Sequence, residues 1–264
     1  MTGSYSIDVT VRLGTMKLKI VKLGWIFILS LSFGIQAFAG EKTLVIGDSH
    51  SSCYKGASSN YVTQLRKCIK EHGSEFLSLA RSSAAPSHYT GKWPFKNYCR
   101  VDNSGQVRTM GGSPNFQKQV SQYDPDHVVV TLGDNVLGYS HSSIVSQYKK
   151  LIGVINEKRK RRCTLVTPTL PTTGRTYNKT QTQLNKVIAA IKEAAGDDCK
   201  VIDSTKLLPT RMAGDGVHLR PSGYNQWGQA VCSKLYQQEA SLATPVETQE
   251  QETNLEGFFS PVSL

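Results

Sequence analysis

What most limits the fold of this chain is the alternation of two patterns along it. Short runs rich in Val, Ile and Leu (Thr43–Gly47, Glu75–Ala80, His127–Leu132, Thr164–Pro168 and Lys200–Asp203) are separated by longer stretches with apolar residues at helical spacing. A run that is apolar at consecutive positions suits a parallel strand covered on both faces. Between the runs, Asn60–Glu71 places Val62, Leu65, Cys68 and Ile69 three or four residues apart. Ser143–Lys158 does the same with Ile144, Tyr148, Leu151, Ile152 and Ile155, and Gln181–Ala195 with Leu184, Val187, Ile188 and Ile191. A last helix opening at Pro221, a favoured first-turn residue, carries Tyr224, Trp227, Val231 and Leu235. This alternation predicts an α/β fold: a three-layer α/β/α sandwich around a mainly parallel five-stranded sheet.

The alternation occupies only part of the chain. Residues 1–39 read as a signal peptide: Lys17, Lys19 and Lys22 precede an apolar run from Gly24 to Ile35, and Ala37-Phe38-Ala39 offers small residues where a signal peptidase reads. Met16 fits as the true start. The run is too short to span a bilayer comfortably, so a cleaved signal is favoured over an uncleaved anchor, and no stable membrane span is expected afterwards. Residues 40–241 form the domain, with a long loop insertion at about 82–124 that breaks the rhythm and gathers Tyr89, Trp93, Phe95 and Tyr98. Residues 242–264 are polar and acidic (Glu247, Glu250, Glu252, Glu256) and have the composition of a disordered tail.

Export gives the six cysteines a meaning. An even number in an oxidising compartment favours disulfides. Sequence alone does not choose the connectivity, but topology prefers one. Cys163 and Cys199 each open a predicted strand, Cys68 and Cys232 lie on the first and last helices, and Cys53 is then left with Cys99. No C-x-x-C or His–Cys cluster supports a metal, and no cofactor is expected. The formal charge is +11. Residues 1–39 hold four basic groups and one acid, which leaves +8 on the remainder. For an exported chain the matching partners are anionic envelope polymers or lipid head groups, a polysaccharide foremost. Nucleic acid is disfavoured by the export signal and by the lack of a binding motif. A basic, solvated surface without a specific partner explains the charge equally well.

Three short pieces carry the chemistry: Gly47-Asp48-Ser49, Gly133-Asp134-Asn135 and Asp215-Gly216-Val217-His218. The first two follow predicted strands directly, and the third comes shortly after the last one. In an open α/β sheet the carboxyl ends of the strands share one rim, where ligands bind. A serine hydroxyl is a weak nucleophile until a base takes its proton. His218 is the candidate base, and Asp215, three residues earlier, can hold its Nδ1–H. The N–H of Ser49 and the amide of Asn135 can supply an oxyanion hole. The bland readings are a helix cap for Ser49, a surface histidine for His218 and turn formers for Asp134 and Asn135. His50 is a rival base without an acid at comparable spacing, expected to line the pocket mouth.

These blocks, in this order, resemble the SGNH or GDSL-like hydrolases over most of residues 42–235. Each block is short, and the set is specific only when taken together. The resemblance implies a flavodoxin-like sheet and a serine esterase with Ser49, Asp215 and His218 as the triad. The family's second block usually offers a glycine N–H to the oxyanion. Here that stretch reads Ala80-Arg81-Ser82-Ser83-Ala84-Ala85, and a backbone N–H from any residue can serve, so Ser82 or Ser83 is the expected substitute, Ser83 the one assigned to the oxyanion hole. Three functions follow from these features: an exported esterase that removes small acyl groups such as acetyl from an envelope glycan; an O-acyltransferase moving the acyl group to a sugar hydroxyl; or an inactive envelope-binding module.

Overall fold

The computed structural model describes residues 40–53, 61–91, 97–112, 115–170, 172–173, 178–208 and 215–242. The expected leader, most of the acidic tail and Trp93 and Phe95 lie outside the described residues. The strands are β1 (Lys42–Gly47), β2 (Glu75–Ala80), β3 (Asn97–Val101), β4 (Val107–Gly111), β5 (His127–Thr131), β6 (Arg162–Val166), β7 (Thr172–Thr173), β8 (Asn178–Lys179) and β9 (Lys200–Ile202). The helices are α1 (Tyr61–Glu71), α2 (Phe116–Tyr123), α3 (His141–Asn156), α4 (Gln181–Ala195) and α5 (Pro221–Leu242).

Seven strands form the main sheet, in the order β4-β3-β2-β1-β5-β6-β9. The five expected strands make up its parallel part, β2-β1-β5-β6-β9. That is the flavodoxin order. The expectation of five strands is corrected by β3 and β4, which continue the sheet antiparallel beyond β2. They arise from the segment expected as loop. Their signal was weak because β4 is an edge strand, mostly exposed, with no apolar alternation. The turn between them is polar: Asp102 Oδ1 accepts from the N–H groups of Ser104 and Gln106 and from Ser104 Oγ. α2 folds from the same segment and is capped by Asn115, whose side chain accepts from Lys118 N–H. A separate short pair, β7–β8, lies between β6 and α4.

Alternate residues of the buried strands feed two separate cores. Leu44, Ile46, Val128 and Val130 pack with Tyr148, Leu151, Val187 and Ile191 of α3 and α4 on one face. Val45 and Val129 pack with Leu65 and Ile69 of α1 and Trp227 and Val231 of α5 on the other. Period-two burial within a fully apolar strand is what a covered parallel sheet requires. Side-chain caps fix two of the helix starts. Ser140 accepts from Ser143 N–H ahead of α3, and Thr180 and Gln183 form a reciprocal capping box at α4.

The cysteines pair as Cys53–Cys99, Cys68–Cys232 and Cys163–Cys199. Three disulfides point to an oxidising, extracytoplasmic compartment. Among the described residues, no helix is long and apolar enough to cross a membrane.

Candidate active site

The register of the central strands aligns three of the expected loops. Gly47 at the end of β1 pairs with Ala80 of β2 on one side and Thr131 of β5 on the other. The chain turns to opposite sides of β1 to reach these neighbours, and the crevice at such a switch point is where this architecture binds ligands.

Beyond Gly47 the backbone turns sharply, with Ser51 N–H donating to Asp48 O and His50 N–H to Asp48 Oδ1. A Cβ on Gly47 would lie 2.6 Å from Ser51 Cβ and 3.2 Å from Thr131 O, so only glycine fits. Beyond β2, Arg81 N–H donates to Gly47 O and Ala84 N–H to Arg81 O. This turn holds Ser83 at φ 62°, a left-handed conformation unusual for a serine. Beyond β5, Gly133 (φ 143°) opens a single 3-10 turn, Asp134–Val136. There a Cβ would strike Pro168 Cγ at 2.5 Å, so the turn again demands glycine.

The fourth piece precedes α5. Asp215 Oδ1 accepts from the N–H groups of Val217 and His218, and its Oδ2 lies 2.7 Å from His218 Nδ1. Burial works to raise the Asp215 pKa, but these donors outweigh it and hold it down to about 2. A carboxylate held ionised beside Nδ1 fixes that nitrogen as the protonated one.

Ser49, Ser83, Asn135 and His218 line one pocket of about 320 Å³. Its remaining wall comes from Ser82, Asp134, Asn178 and Lys179, with Leu137 and Val217 as its apolar members. The Asn135 amide donates to Ala84 O at 3.0 Å and, at a longer 3.3 Å, to Asp48 Oδ2. Asp48 is buried, which pushes its carboxyl up to about 6 despite the opposing pull of His50.

His50, expected at the pocket mouth, lies instead beneath the site. The cause is its hydrogen bonding: Nε2 meets Asp134 Oδ2 at 2.9 Å and Nδ1 meets the Tyr224 hydroxyl at 3.2 Å. Its ring stands 5.4 Å from that of His218, centroid to centroid. Trp227, whose Nε1–H donates to Ser204 Oγ, packs against His50 and Tyr61 and closes the floor. Lys179 was missed altogether. It is one lysine of many in a polar stretch, and only the fold shows its ammonium 2.7 Å from Asp134 Oδ1. Among the described residues, the one grouping with metal-ligand spacing is Cys68, His72 and Cys232, and both of its sulfurs are committed to a disulfide.

Sequence comparison matches the GDSL-like lipase/acylhydrolase family over residues 45–226, which takes in all four loops. The chain belongs to that family. A relative within reach of sequence comparison is Protein BcsX of Komagataeibacter xylinus, 23% identical over 206 residues, covering 73% of this chain and 76% of BcsX. The fold is shared with Est24, a carbohydrate acetylesterase from Sinorhizobium meliloti (TM-score 0.55, 14% identity, 76% of this chain and 99% of that one). It is also shared with a lipase/acylhydrolase from Enterococcus faecalis (TM-score 0.53, 17% identity, 75% and 96%). GDSL-like acylhydrolases are in general ester hydrolases, so ester chemistry is the frame for the pocket.

Proposed function

We propose that this GDSL-like protein is an exported serine esterase that removes small acyl groups, acetyl foremost, from a carbohydrate of the cell envelope. The observation that carries the reading is the Asp215–His218 pair sharing one polar pocket with Ser49. Ser49 Oγ attacks the ester carbonyl while His218 Nε2 takes its proton. Asp215 holds Nδ1–H and stabilises the imidazolium that forms. The negative charge that develops on the carbonyl oxygen is held by the N–H groups of Ser49 and Ser83 and by the Asn135 amide. The longer Asn135 bond, to Asp48, is the one the oxyanion displaces. His218 then gives its proton to the departing sugar hydroxyl. It next takes one from water, whose oxygen bonds to the acyl carbon; the bond from that carbon to Ser49 Oγ then breaks, the acid departs and His218 returns the proton to Oγ.

The substrate class rests on softer support. A pocket of about 320 Å³ is near the small end for ligand sites. Hydroxyl and amide groups of Ser49, Ser82, Ser83, Asn135 and Asn178 make up much of its wall, which suits a short acyl group better than a long chain. The shared fold of Est24, a carbohydrate acetylesterase, agrees with this, and so does a basic chain meeting anionic polymer. Export is supported by the basic and apolar opening of the sequence and by the three disulfides.

Purified protein lacking residues 1–39 is expected to hydrolyse 4-nitrophenyl acetate. Ser49→Ala should fall to the uncatalysed rate with an unchanged circular dichroism spectrum, and a fluorophosphonate probe should label Ser49. Turnover by Ser49→Ala at the wild-type rate removes Ser49 from the mechanism. Free acetate as the product, with polysaccharide acceptor present, separates hydrolysis from transfer.

A further inference from the structure

Lys179 and Asp134 carry opposite charges and are almost wholly buried at the wall of the pocket. The lysine side chain is 0% exposed and the aspartate 6%. A buried ammonium is costly unless paired, and such a pair often adds little net stability over apolar residues of the same size. A fold that keeps one beside its pocket invites a reason other than stability. Its placement supplies that reason. Asp134 precedes Asn135 in the same 3-10 turn, and its second oxygen takes Nε2 of His50, the residue after Ser49. Lys179 sits on β8, next to α4, and lines the pocket together with Asp134. One carboxylate therefore touches the turn bearing Asn135, the loop bearing Ser49 and the β7–β8 pair.

We infer that Asp134 and Lys179 are positioning residues, and that the Lys179–Asp134–His50 chain sets the spacing between the Ser49 hydroxyl and the Asn135 amide. The inference rests on the esterase reading of that pocket. Loss of rate on small displacements is steep, because reacting atoms must be held within a fraction of an ångström. His50 is clamped at both ring nitrogens, by Asp134 and by the Tyr224 hydroxyl, so it cannot turn without breaking one of them. Burial works to discharge the imidazole, but Asp134 and Asp48 beside it outweigh that and hold its pKa above the ordinary value. Burial likewise opposes the charge on Asp134, and Lys179 and His50 overcome it, holding that carboxyl below the usual range.

The test compares Asp134→Asn, Lys179→Met and the double variant with wild type, reading kcat, KM and the unfolding midpoint on 4-nitrophenyl acetate. Asp134→Asn should lower kcat by about 10- to 100-fold with little change in KM. It should also lower the midpoint, because Lys179 is left buried without its counter-ion. The double variant holds neither charge, so its midpoint should return towards wild type while kcat stays low. A double variant that regains kcat together with stability overturns the inference and leaves a merely structural pair. Ser49→Ala, assayed alongside, reports separately on the esterase reading. One measurement needs no turnover: the His50 Nε2–H proton should exchange slowly with water in wild type and rapidly in Asp134→Asn. Equal exchange rates also overturn the inference.

Discussion

Ser83 holds a left-handed backbone, φ 62°, in a pocket wall built from turns. For a residue with a Cβ that conformation costs roughly 1–2 kcal/mol, a penalty that glycine escapes. Glycine also gains freedom in the unfolded chain, which returns part of the difference. Ser83→Gly is therefore expected to raise the unfolding free energy by about 0.5–1 kcal/mol, read from urea denaturation. In the proposed mechanism Ser83 acts through its backbone N–H, which the substitution keeps, so kcat on 4-nitrophenyl acetate should stay within about twofold. A large loss of kcat in a variant of unchanged or greater stability would instead give the hydroxyl a part in the reaction. The seryl group at this position also explains why the second block was hard to read. Its glycine is absent, but the glycine-like conformation is kept.

At the scale of elements, the disulfides fasten pieces of very different separation. Cys68–Cys232 ties α1 to α5 across 164 residues, whereas Cys163–Cys199 ties the beginning of β6 to the residue before β9 across 36. The chain-entropy account makes the longer closure worth about 1.3 kcal/mol more. Replacing both cysteines of the α1–α5 bridge by alanine should thus destabilise the fold by roughly that much more than the same change in the β6–β9 bridge. Denaturant unfolding of the two variants checks the order, and a reversed order would mean that local packing outweighs loop closure. The same elements show what the sequence could disclose. β1, β2 and β5, and the helices α1, α3 and α4, stood out because a covered strand and an amphipathic helix each impose a period on the residues that bury them. β4 imposes none, since one side of an edge strand is solvent, β3 is a short strand, Asn97–Val101, with charged Arg100 among its residues, and the Asp102–Gln106 turn satisfies itself with side-chain oxygens. The loops bearing Ser49, Asn135 and His218 were legible because each is short and follows, or lies near, a strong strand. Lys179 was not, because its partner Asp134 is 45 residues away and only tertiary packing joins them.

Over the whole molecule, the buried charges beneath the pocket make folding depend on pH in a way that can be separated by sign. Burial raises Asp48 to about 6, so the folded protein keeps this proton at a pH where the unfolded chain, near its ordinary value of about 4, has lost it. The Asp48 contribution to stability must then fall as pH rises from about 4.5 to 6 and level off above that window. His127, whose burial holds its pKa down to about 3, pushes the other way in the same window, so the Asp48 slope is read as a difference from a variant that keeps His127. Asp215, held down to about 2, and Asp134, held below the usual range, are ionised in both states throughout the window, and their contributions are lost only as pH falls further. His50, held above its ordinary value, stays protonated in both states there and gives up its contribution only as pH rises beyond about 6.5. Asp48→Asn places an amide at the same buried position and adds an offset that does not vary with pH. The unfolding free energy of wild type minus that of Asp48→Asn should therefore decline between about pH 4.5 and 6, measured by urea denaturation at half-unit steps. Parallel curves would mean that Asp48 ionises as readily inside the fold as outside it. The hydrogen bond it accepts from Asn135 would then be held by a carboxylate at every pH where the protein is folded.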